Sequence, residues 1–400
     1  MRGRRPERRA ILLAAAFAVA LVTPARAAPA ELSITRSDAT RILTAHAELW
    51  MRELTWANGP SSRGGALTVD GHQLLLASGD GRFFRVDLGR NVAQPDALPS
   101  IDLGAQGLTT SRRIKTFELP PRVHDILVDG PDVFISFDQY SAQTDSIHFN
   151  IARLAPGGRT WVTLYRSIAL DSDIYTMGNG GRLALQAKTR RLFFTVGDQS
   201  LDRHHRRASD IAAQQPGLPW GKVGYLDLKD NSVHPYSLGH RNAQGLTFLA
   251  DGRLIETEHG PQGGDEINEI LPGANYGWPY RSHGTEYGSY FEYRVSLPSP
   301  PPARYTEPLY AFLPSVAPTQ IMQVQPGFHG LWQGDLLMGS LKAQTLFRIR
   351  LAADRVLFVE PIPLEHRIRD VRQMQDTLVI LTDHGSLLTL RRNASSPNPR

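Results

Sequence analysis

Residues 244–258 read QGLTFLADGRLIETE, two short apolar runs joined by the turn Asp251-Gly252. An Asp-Gly pair between two such runs is typical of a β-hairpin. Five other stretches have the same turn-and-strand form: VDGHQLLLAS (69–78), VDGPDVFISF (128–137), AKTRRLFFTV (187–196), WQGDLLMGS (332–340) and MQDTLVILT (374–382). A further short strand candidate precedes each turn. The turns at Asp70 and Asp129 lie 59 residues apart, and the steps to Asp251 and then Asp376 are about twice as long, so one unit recurs six times.

A repeated antiparallel unit whose strands are too short to bury a core alone is typical of a β-propeller blade. We therefore predict an all-β protein, a six-bladed β-propeller of four-stranded antiparallel blades over residues 28–392. Two β-sandwiches would instead show strands every 8–12 residues and no longer period.

Three regions fall outside the repeat. The Pro-rich stretch 279–310 predicts a long loop insertion, and residues 393–400 predict a disordered tail. Residues 31–56 have mixed periodicity, which fits either a helix or an outer strand that closes the ring.

Residues 1–27 have the composition of a secretory signal peptide. The basic start MRGRRPERR precedes the apolar run Ala10–Val22 and then the small-x-small site Ala25-Arg26-Ala27. We expect cleavage after Ala27 and a periplasmic or secreted product. No later stretch has the length of unbroken apolar sequence that a membrane-spanning helix needs. The chain has no cysteine, which excludes disulfides and thiolate metal sites.

The net charge does not predict a nucleic-acid partner. The chain has 44 Lys and Arg against 39 Asp and Glu, a formal charge of +5. Residues 1–27 hold six arginines and one glutamate, so the rest of the chain has 38 residues of each sign. A surface that binds nucleic acid needs a net basic footprint.

The most distinctive segment is residues 239–279, GHRNAQGLTFLADGRLIETEHGPQGGDEINEILPGANYGWP. It closely resembles the soluble glucose and aldose sugar dehydrogenases that depend on pyrroloquinoline quinone (PQQ), in the glucose/sorbosone dehydrogenase family of six-bladed propellers. The resemblance continues more weakly over about residues 178–390. It implies an exported PQQ- and Ca²⁺-dependent oxidoreductase that oxidises C1 of an aldose to a lactone. Its partners would be a small sugar and an external electron acceptor.

A propeller binds its ligands on the axis at one end, where the inner strands begin and where each blade's second and third strands are connected. Several polar residues fall at such positions. The resemblance makes them cofactor contacts: Arg241, Asn242, Gln244, Lys342, Arg367 and Arg369. Arginine forks and a lysine charge suit the three carboxylates of PQQ. Each arginine could instead be a solvated charge or form a salt bridge between blades.

Two metal sites follow from the resemblance. The backbone carbonyls of Gly260 and Pro261 match positions that hold Ca²⁺ against the quinone, and hard Ca²⁺ prefers such oxygen ligands. The ion would act as a Lewis acid. Glu266 and Tyr276, with Asp265, resemble the surroundings of a second, structural Ca²⁺. A tight turn and a surface acidic pair are the alternative interpretations.

The sequence departs from the family at the general base. Relatives have a histidine four residues before the arginine of GGRL, which takes the hydroxyl proton, whereas this chain has Gly178. His124 is the best substitute because it begins the inner strand of a neighbouring blade, and His259, Asp125 and Asp198 are weaker candidates.

Arg241 would lie beside the reacting carbonyl. Leu313 also stands where relatives have Trp.

Three explanations of Gly178 stay open. The base comes from elsewhere, the chain binds cofactor or sugar without turnover, or the alignment is shifted by a loop residue. The second explanation gives the alternative function, a catalytically impaired cofactor- or carbohydrate-binding module. A Ca²⁺-dependent lactonase is a third class. No Rossmann fingerprint supports an NAD enzyme, and the basic run around His204-His205 predicts a solvated loop.

Overall fold

The computed structural model describes residues 31–60, 63–104, 121–171, 178–199, 201, 211–285, 287 and 304–392. The predicted signal peptide, the predicted tail, the run around His204-His205 and most of the predicted 279–310 insertion lie outside these residues. The described residues form six antiparallel sheets. The 3₁₀ turns Ala212–Gln214 and Gly330–Trp332 lie in connections between strands.

Each of the first three blades has four strands that run from the axis outward. Blade 1 consists of β5 (Gly65–Asp70), β6 (Gln73–Ser78), β7 (Phe83–Asp87) and β8 (Val92–Pro95), with β1 (Leu32–Ser33) added at its outer edge. Blade 2 consists of β9 (Val123–Asp129), β10 (Asp132–Ser141), β11 (Ser146–Leu154) and β12 (Val162–Arg166), and β13 (Leu170–Asp171) also pairs with β11. Blade 3 consists of β14 (Gly180–Gln186), β15 (Arg191–Val196), β16 (Lys222–Asp227) and β17 (Val233–Leu238).

Blades 4 and 5 repeat this order. Blade 6 combines three strands from the last part of the sequence with β4 from the first part. Blade 4 consists of β18 (Ala243–Phe248), β19 (Leu254–Glu258), β20 (Asp265–Glu269) and β21 (Tyr310–Phe312). Blade 5 consists of β22 (Pro318–Gln323), β23 (Leu336–Ser340), β24 (Thr345–Leu351) and β25 (Val356–Pro363). Blade 6 consists of β26 (Ile368–Met374), β27 (Thr377–Thr382), β28 (Leu387–Arg392) and β4 (Glu48–Thr55), which also carries β2 (Thr35–Arg36) and β3 (Thr40–Leu43).

Strand β4 closes the ring. It pairs antiparallel with β28, from Leu387 opposite Leu54 to Arg392 opposite Leu49. Of the two conformations that the sequence allowed for residues 31–56, the structure therefore has the outer strand. Consecutive inner strands contact one another in the order β5, β9, β14, β18, β22, β26 and back to β5. The six-bladed β-propeller prediction is confirmed.

The apolar core lies between the blades. There are six buried clusters among the described residues, and each joins two neighbouring blades. Between blades 2 and 3, for example, the rings of Phe149 and Phe194 stack with centroids 6.2 Å apart. Both faces of a blade are thus covered, which explains why the inner two strands of each blade read as nearly continuous apolar runs. In the described part of the chain no helix is long and apolar enough to cross a membrane.

Candidate functional site: the axial mouth

Antiparallel pairing brings two kinds of connection to the same end of the axis. Arg241 and Arg367 lie just before the inner strands β18 and β26, whereas Gly260-Pro261 and Lys342 lie between the second and third strands of blades 4 and 5. Strands alternate in direction within a blade, so all of these positions are at one end. We call this end, where the inner strands begin, the mouth.

β-Bulges interrupt the regular pairing of the inner strands at the mouth. Five of the six inner strands have an extra residue close to where they begin. In β9, β18 and β26 the extra residue, left out of the pairing with the second strand, is His124, Gln244 and Arg369 respectively. A bulge redirects a side chain and is common beside active sites. Three of the site residues predicted from sequence are therefore the extra residues of β-bulges.

Arg367 and Arg369, at the beginning of the inner strand of blade 6, share one carboxylate. Nε of Arg369 lies 3.0 Å and Nε of Arg367 3.1 Å from the carboxylate oxygens of Asp383, which sequence analysis missed. Burial alone would raise the pKa of Asp383, but Arg369 and Arg367 outweigh it and hold this pKa below its usual value. Burial lowers the pKa of Arg369 to about 10. Lys342 is exposed. It lies next to this pair in space, because Arg367 Nη1 donates a hydrogen bond to the carbonyl of the preceding residue, Leu341, at 3.4 Å.

Arg241 spans the blade 4 side of the mouth. Its Nη1 donates to the carbonyl oxygens of His259 at 3.1 Å and Gly260 at 2.8 Å. Its guanidinium also lies 5.2 Å from the ring centroid of Trp278. Asp198 supports this position, because its backbone N–H donates to the Arg241 carbonyl and its carboxylate accepts from Trp278 Nε1, both at 2.7 Å.

His259 links blade 4 to blade 5 within this group of mouth residues. Burial is the main cause that lowers the pKa of His259, and the charges of Arg241 and Arg369 lower it further. Its Nε2 lies 2.7 Å from the carbonyl of Pro318. Asn242 joins blade 3 to the same group: its Oδ1 accepts from Gln244 Nε2 at 2.8 Å and from the backbone N–H of Gly180 at 3.2 Å.

His124 lies in a buried polar chain of side chains. Its Nε2 is 2.8 Å from Asp138 Oδ2, which also accepts from Asn179 Nδ2 at 2.6 Å. Burial lowers the pKa of His124, and Asp138 opposes this effect. A Cβ at Gly181, whose φ is +98°, would lie 2.4 Å from the His124 Cβ, so the glycine makes room for the histidine. Asn179 directly follows Gly178, so this series of hydrogen bonds extends from His124 to the residue next to Gly178.

A layer of ion pairs joins several inner strands below the mouth. Arg182, 1% exposed, donates from Nε to the Gln244 carbonyl at 2.7 Å and from Nη2 to the Arg369 carbonyl at 2.9 Å. Its Nη1 lies 3.7 Å from Asp125 Oδ1 and 3.6 Å from Asp370 Oδ2. Arg372 lies 3.3 Å from the same two oxygens. Asp125, a weaker base candidate, is thus committed to this layer, which holds the bulges of β18 and β26 by their carbonyls.

The proposed metal ligands divide into two regions. The Gly260 carbonyl already accepts a hydrogen bond from Arg241, and the Gly260 N–H donates to Asp265 Oδ1 at 2.9 Å. Asp265 Oδ2 in turn accepts from the backbone N–H groups of Val316 and Ala317 at 2.7 and 2.8 Å. Asp265 therefore holds the Gly260-Pro261 turn against blade 5 and has its oxygens filled by protein donors.

The second region is a buried group of carboxylates. Asn268 Nδ2 lies 3.1 Å from Glu256 and 3.2 Å from both Glu258 and Glu266. Burial, and then the charge of Glu258, raise the pKa of Glu256 and of Glu266 well above the usual value. His240, Glu256 and Glu258 could bring ligand atoms to one cation. The Tyr276 hydroxyl accepts from Leu271 N–H and donates to the Glu269 carbonyl, so another atom of Tyr276 would have to bind a metal there.

A small cavity connects this group to the mouth. It has a volume of about 10 Å³, room for about one water-sized group. Glu258, Glu266, Gly260 and Arg241 are among its lining residues. Buried oxygen donors around so small a space match the ligand preference of Ca²⁺.

Fold and geometry together define a six-bladed propeller with a candidate ligand site at one end of its axis, lined by guanidinium, amide and imidazole groups. A mouth of this composition favours a small anionic ligand. The chain belongs to the glucose/sorbosone dehydrogenase family, whose family model, Glucose / Sorbosone dehydrogenase, matches residues 131–389.

Named relatives agree with this family. Quinoprotein glucose dehydrogenase B of Acinetobacter calcoaceticus is 28% identical over 279 residues, covering 51% of this chain and 58% of its own. Aldose sugar dehydrogenase YliI of Escherichia coli K12 is 29% identical over 241 residues, covering 56% and 63%. The alignments therefore span about three fifths of these relatives. The solved PQQ-bound form of aldose sugar dehydrogenase from Streptomyces coelicolor has a TM-score of 0.61 and 22% identity, covering 90% of this chain and 99% of that one, which shows the shared fold.

Proposed function

We propose that this chain is an exported, PQQ- and Ca²⁺-dependent sugar dehydrogenase that oxidises C1 of an aldose to a lactone and passes the electrons to an external acceptor. The observation that carries the proposal is that one buried guanidinium, that of Arg182, binds the carbonyls of both Gln244 and Arg369, which brings the beginnings of the inner strands of blades 4 and 6 together in one mouth. Family membership and the named quinoprotein relative support the same function.

The residues of the mouth fit an anionic quinone. Arg367, Arg369 and the exposed Lys342 would hold carboxylates, while Asn242 and Gln244 would donate or accept at the ring edge. The carbonyls of Gly260 and Pro261 would hold Ca²⁺, with Arg241 turning from the Gly260 carbonyl toward the ligand. When bound, the quinone supplies a hydride acceptor, and Ca²⁺ supplies the positive charge that makes its carbonyl a better one.

Within this chain, His124 would move the proton. Asp138 fixes Nε2 as the protonated nitrogen, which leaves Nδ1 to accept the proton of the anomeric hydroxyl. Because burial lowers its pKa, His124 is neutral at neutral pH, as a general base must be. Glu266 and Tyr276 remain our proposal for a second, structural Ca²⁺, now with Glu256 and Glu258 beside them.

The test is reconstitution. We expect purified protein with Ca²⁺ to shift the absorbance of added PQQ and then to reduce an artificial dye when an aldose is supplied. Arg369→Gln should weaken PQQ binding about 10- to 100-fold because a buried charged hydrogen-bond donor is lost. The matched control is Arg41→Gln, since Arg41 is exposed on the outer strand β3. A protein that binds no PQQ with Ca²⁺ present would contradict the proposal.

Gly178 favours one alternative, a propeller that binds cofactor or sugar without turnover. Binding of PQQ with no dye reduction for any aldose would support it. Restored turnover in Gly178→His would then show that only the base is missing, whereas turnover in the unaltered protein would exclude this alternative.

A further inference from the structure

We infer that Arg122 is an anion-binding residue of the mouth and that it takes a carboxylate group of the bound ligand. The inference deepens the proposed function and rests on it for the location of the ligand. Neither the repeat pattern nor the family resemblance singled out this residue.

The backbone places Arg122 beside the candidate base. It directly precedes β9 and lies two residues before His124, and its carbonyl accepts a hydrogen bond from the Asp138 N–H at 3.0 Å. Gly64, just before β5, gives the side chain space: a Cβ there would lie 2.9 Å from Arg122 Cδ. The start of blade 1 thus leaves room for the arginine of blade 2.

The guanidinium of Arg122 is buried but incompletely bonded. The residue is 6% exposed, and its Nη1 has no hydrogen-bond partner among the described residues. Arg367 and Arg369, by contrast, share Asp383. A buried charged donor without an acceptor is unfavourable, and an anionic ligand would supply the missing acceptor.

The charge of Arg122 acts on the residues of the mouth. Burial is the main cause that lowers the pKa of His124 and of Arg369, and the charge of Arg122, two residues before His124, lowers both further. Arg122 and Arg182 both act on Arg369 in the same unfavourable sense, so the positive charges of these residues repel one another. The flat fork of a guanidinium matches a carboxylate with two parallel hydrogen bonds, so a polycarboxylate is the ligand that best offsets this repulsion.

The experiment compares Arg122→Met and Arg122→Lys with the unaltered protein. The matched control is Arg153→Met, on β11 of the same blade, where the arginine side chain is 44% exposed. Two probes are titrated with Ca²⁺ present, PQQ and the redox-inert tricarboxylate citrate, and the thermal midpoint of each ligand-free variant is recorded.

We expect Arg122→Met to bind both probes about 10- to 100-fold more weakly, as for loss of a charged hydrogen-bond donor. Its ligand-free thermal midpoint should stay the same or rise, because an unpaired buried charge is removed. Arg122→Lys should be intermediate in affinity, and Arg153→Met should match the unaltered protein. A structural role would instead lower the midpoint.

The outcomes separate this inference from the proposed function. If citrate binds in an Arg122-dependent way and PQQ does not bind, the inference stands and the proposed function fails. If PQQ binds equally well to Arg122→Met, the inference is wrong and the proposed function stands. A lowered ligand-free midpoint with unchanged affinity also overturns the inference, as does a protein that binds neither probe.

Discussion

His124→Ala is expected to lower turnover of the PQQ- and Ca²⁺-loaded protein by about 10²- to 10⁴-fold, the usual contribution of a general base. PQQ affinity should change little, because His124 would act on the sugar hydroxyl and not on the cofactor carboxylates. Steady-state dye reduction measures the first effect, and the absorbance titration with PQQ measures the second.

The control for this variant is His72→Ala. His72 is exposed in the turn between β5 and β6, at the opposite end of the axis, so its loss should leave turnover unchanged. Turnover of His124→Ala at the level of the unaltered protein would show that the proton goes elsewhere, with His259 as the next candidate.

Asp138→Asn tests how His124 is held. The negative charge of Asp138 raises the pKa of His124 against the effect of burial, so its removal lowers that pKa further. A general base works in its neutral form, and activity falls when the pH drops below its pKa. The acid limb of the pH–rate profile should therefore move to lower pH in Asp138→Asn, with a smaller maximal rate. A profile that keeps its acid limb in place would contradict the pairing.

Arg182→Met should have the largest effect on stability. It leaves Asp125 and Asp370 buried with one of their two arginines gone, and breaking a buried ion pair on one side commonly costs about 3–5 kcal/mol. The variant also loses the hydrogen bonds to the Gln244 and Arg369 carbonyls. We expect a lower free energy of unfolding in urea and weaker PQQ binding.

A compensating variant distinguishes charge imbalance from lost packing. Arg182→Met combined with Asp370→Asn removes one charge of each sign, so part of the lost unfolding free energy should return. PQQ binding should stay weak, because the carbonyl anchors of the two bulges are still missing. An unfolding free energy of Arg182→Met equal to that of the unaltered protein would show that the axial layer contributes nothing.

The fold could be predicted from sequence because its repeat is local. Each unit has two neighbouring apolar runs and a tight turn, such as Asp70-Gly71 or Asp129-Gly130, and the spacing of these turns reveals the number of blades. The outer strands were harder, since they are partly exposed and irregular. Residues 31–56 could not be assigned because β4 pairs with β28, and a contact across more than 300 residues leaves no mark in the local pattern.

The site was only partly predictable for a related reason. Arg241, Asn242 and Gln244 lie in a distinctive motif, so their position at the mouth followed from the motif and from strand direction. Asp383, by contrast, follows the apolar strand β27 as an ordinary turn residue, and nothing nearby in the sequence indicates that it forms ion pairs with Arg367 and Arg369.

Asp138 and Arg122 differ in whether the local sequence marks them as residues of the site. Asp138 is a charged residue in the middle of the strand DVFISFDQYS, which is unusual for a strand buried between blades and could have identified it. Arg122 has no such mark, because an arginine before a strand is common. Only its burial and its unbonded Nη1 distinguish it.

The pairing of β4 with β28 also sets the order of assembly. Residues 48–55 are synthesised early, but their partner strand β28 ends at Arg392. Blade 6 can therefore be completed only after β28 has been synthesised. Folding rates fall as the sequence separation of contacts grows. The first five blades can pack against one another in chain order. The pairing of β4 with β28 is the slow last step, and until it forms the edge of β28 is exposed and can pair with other chains.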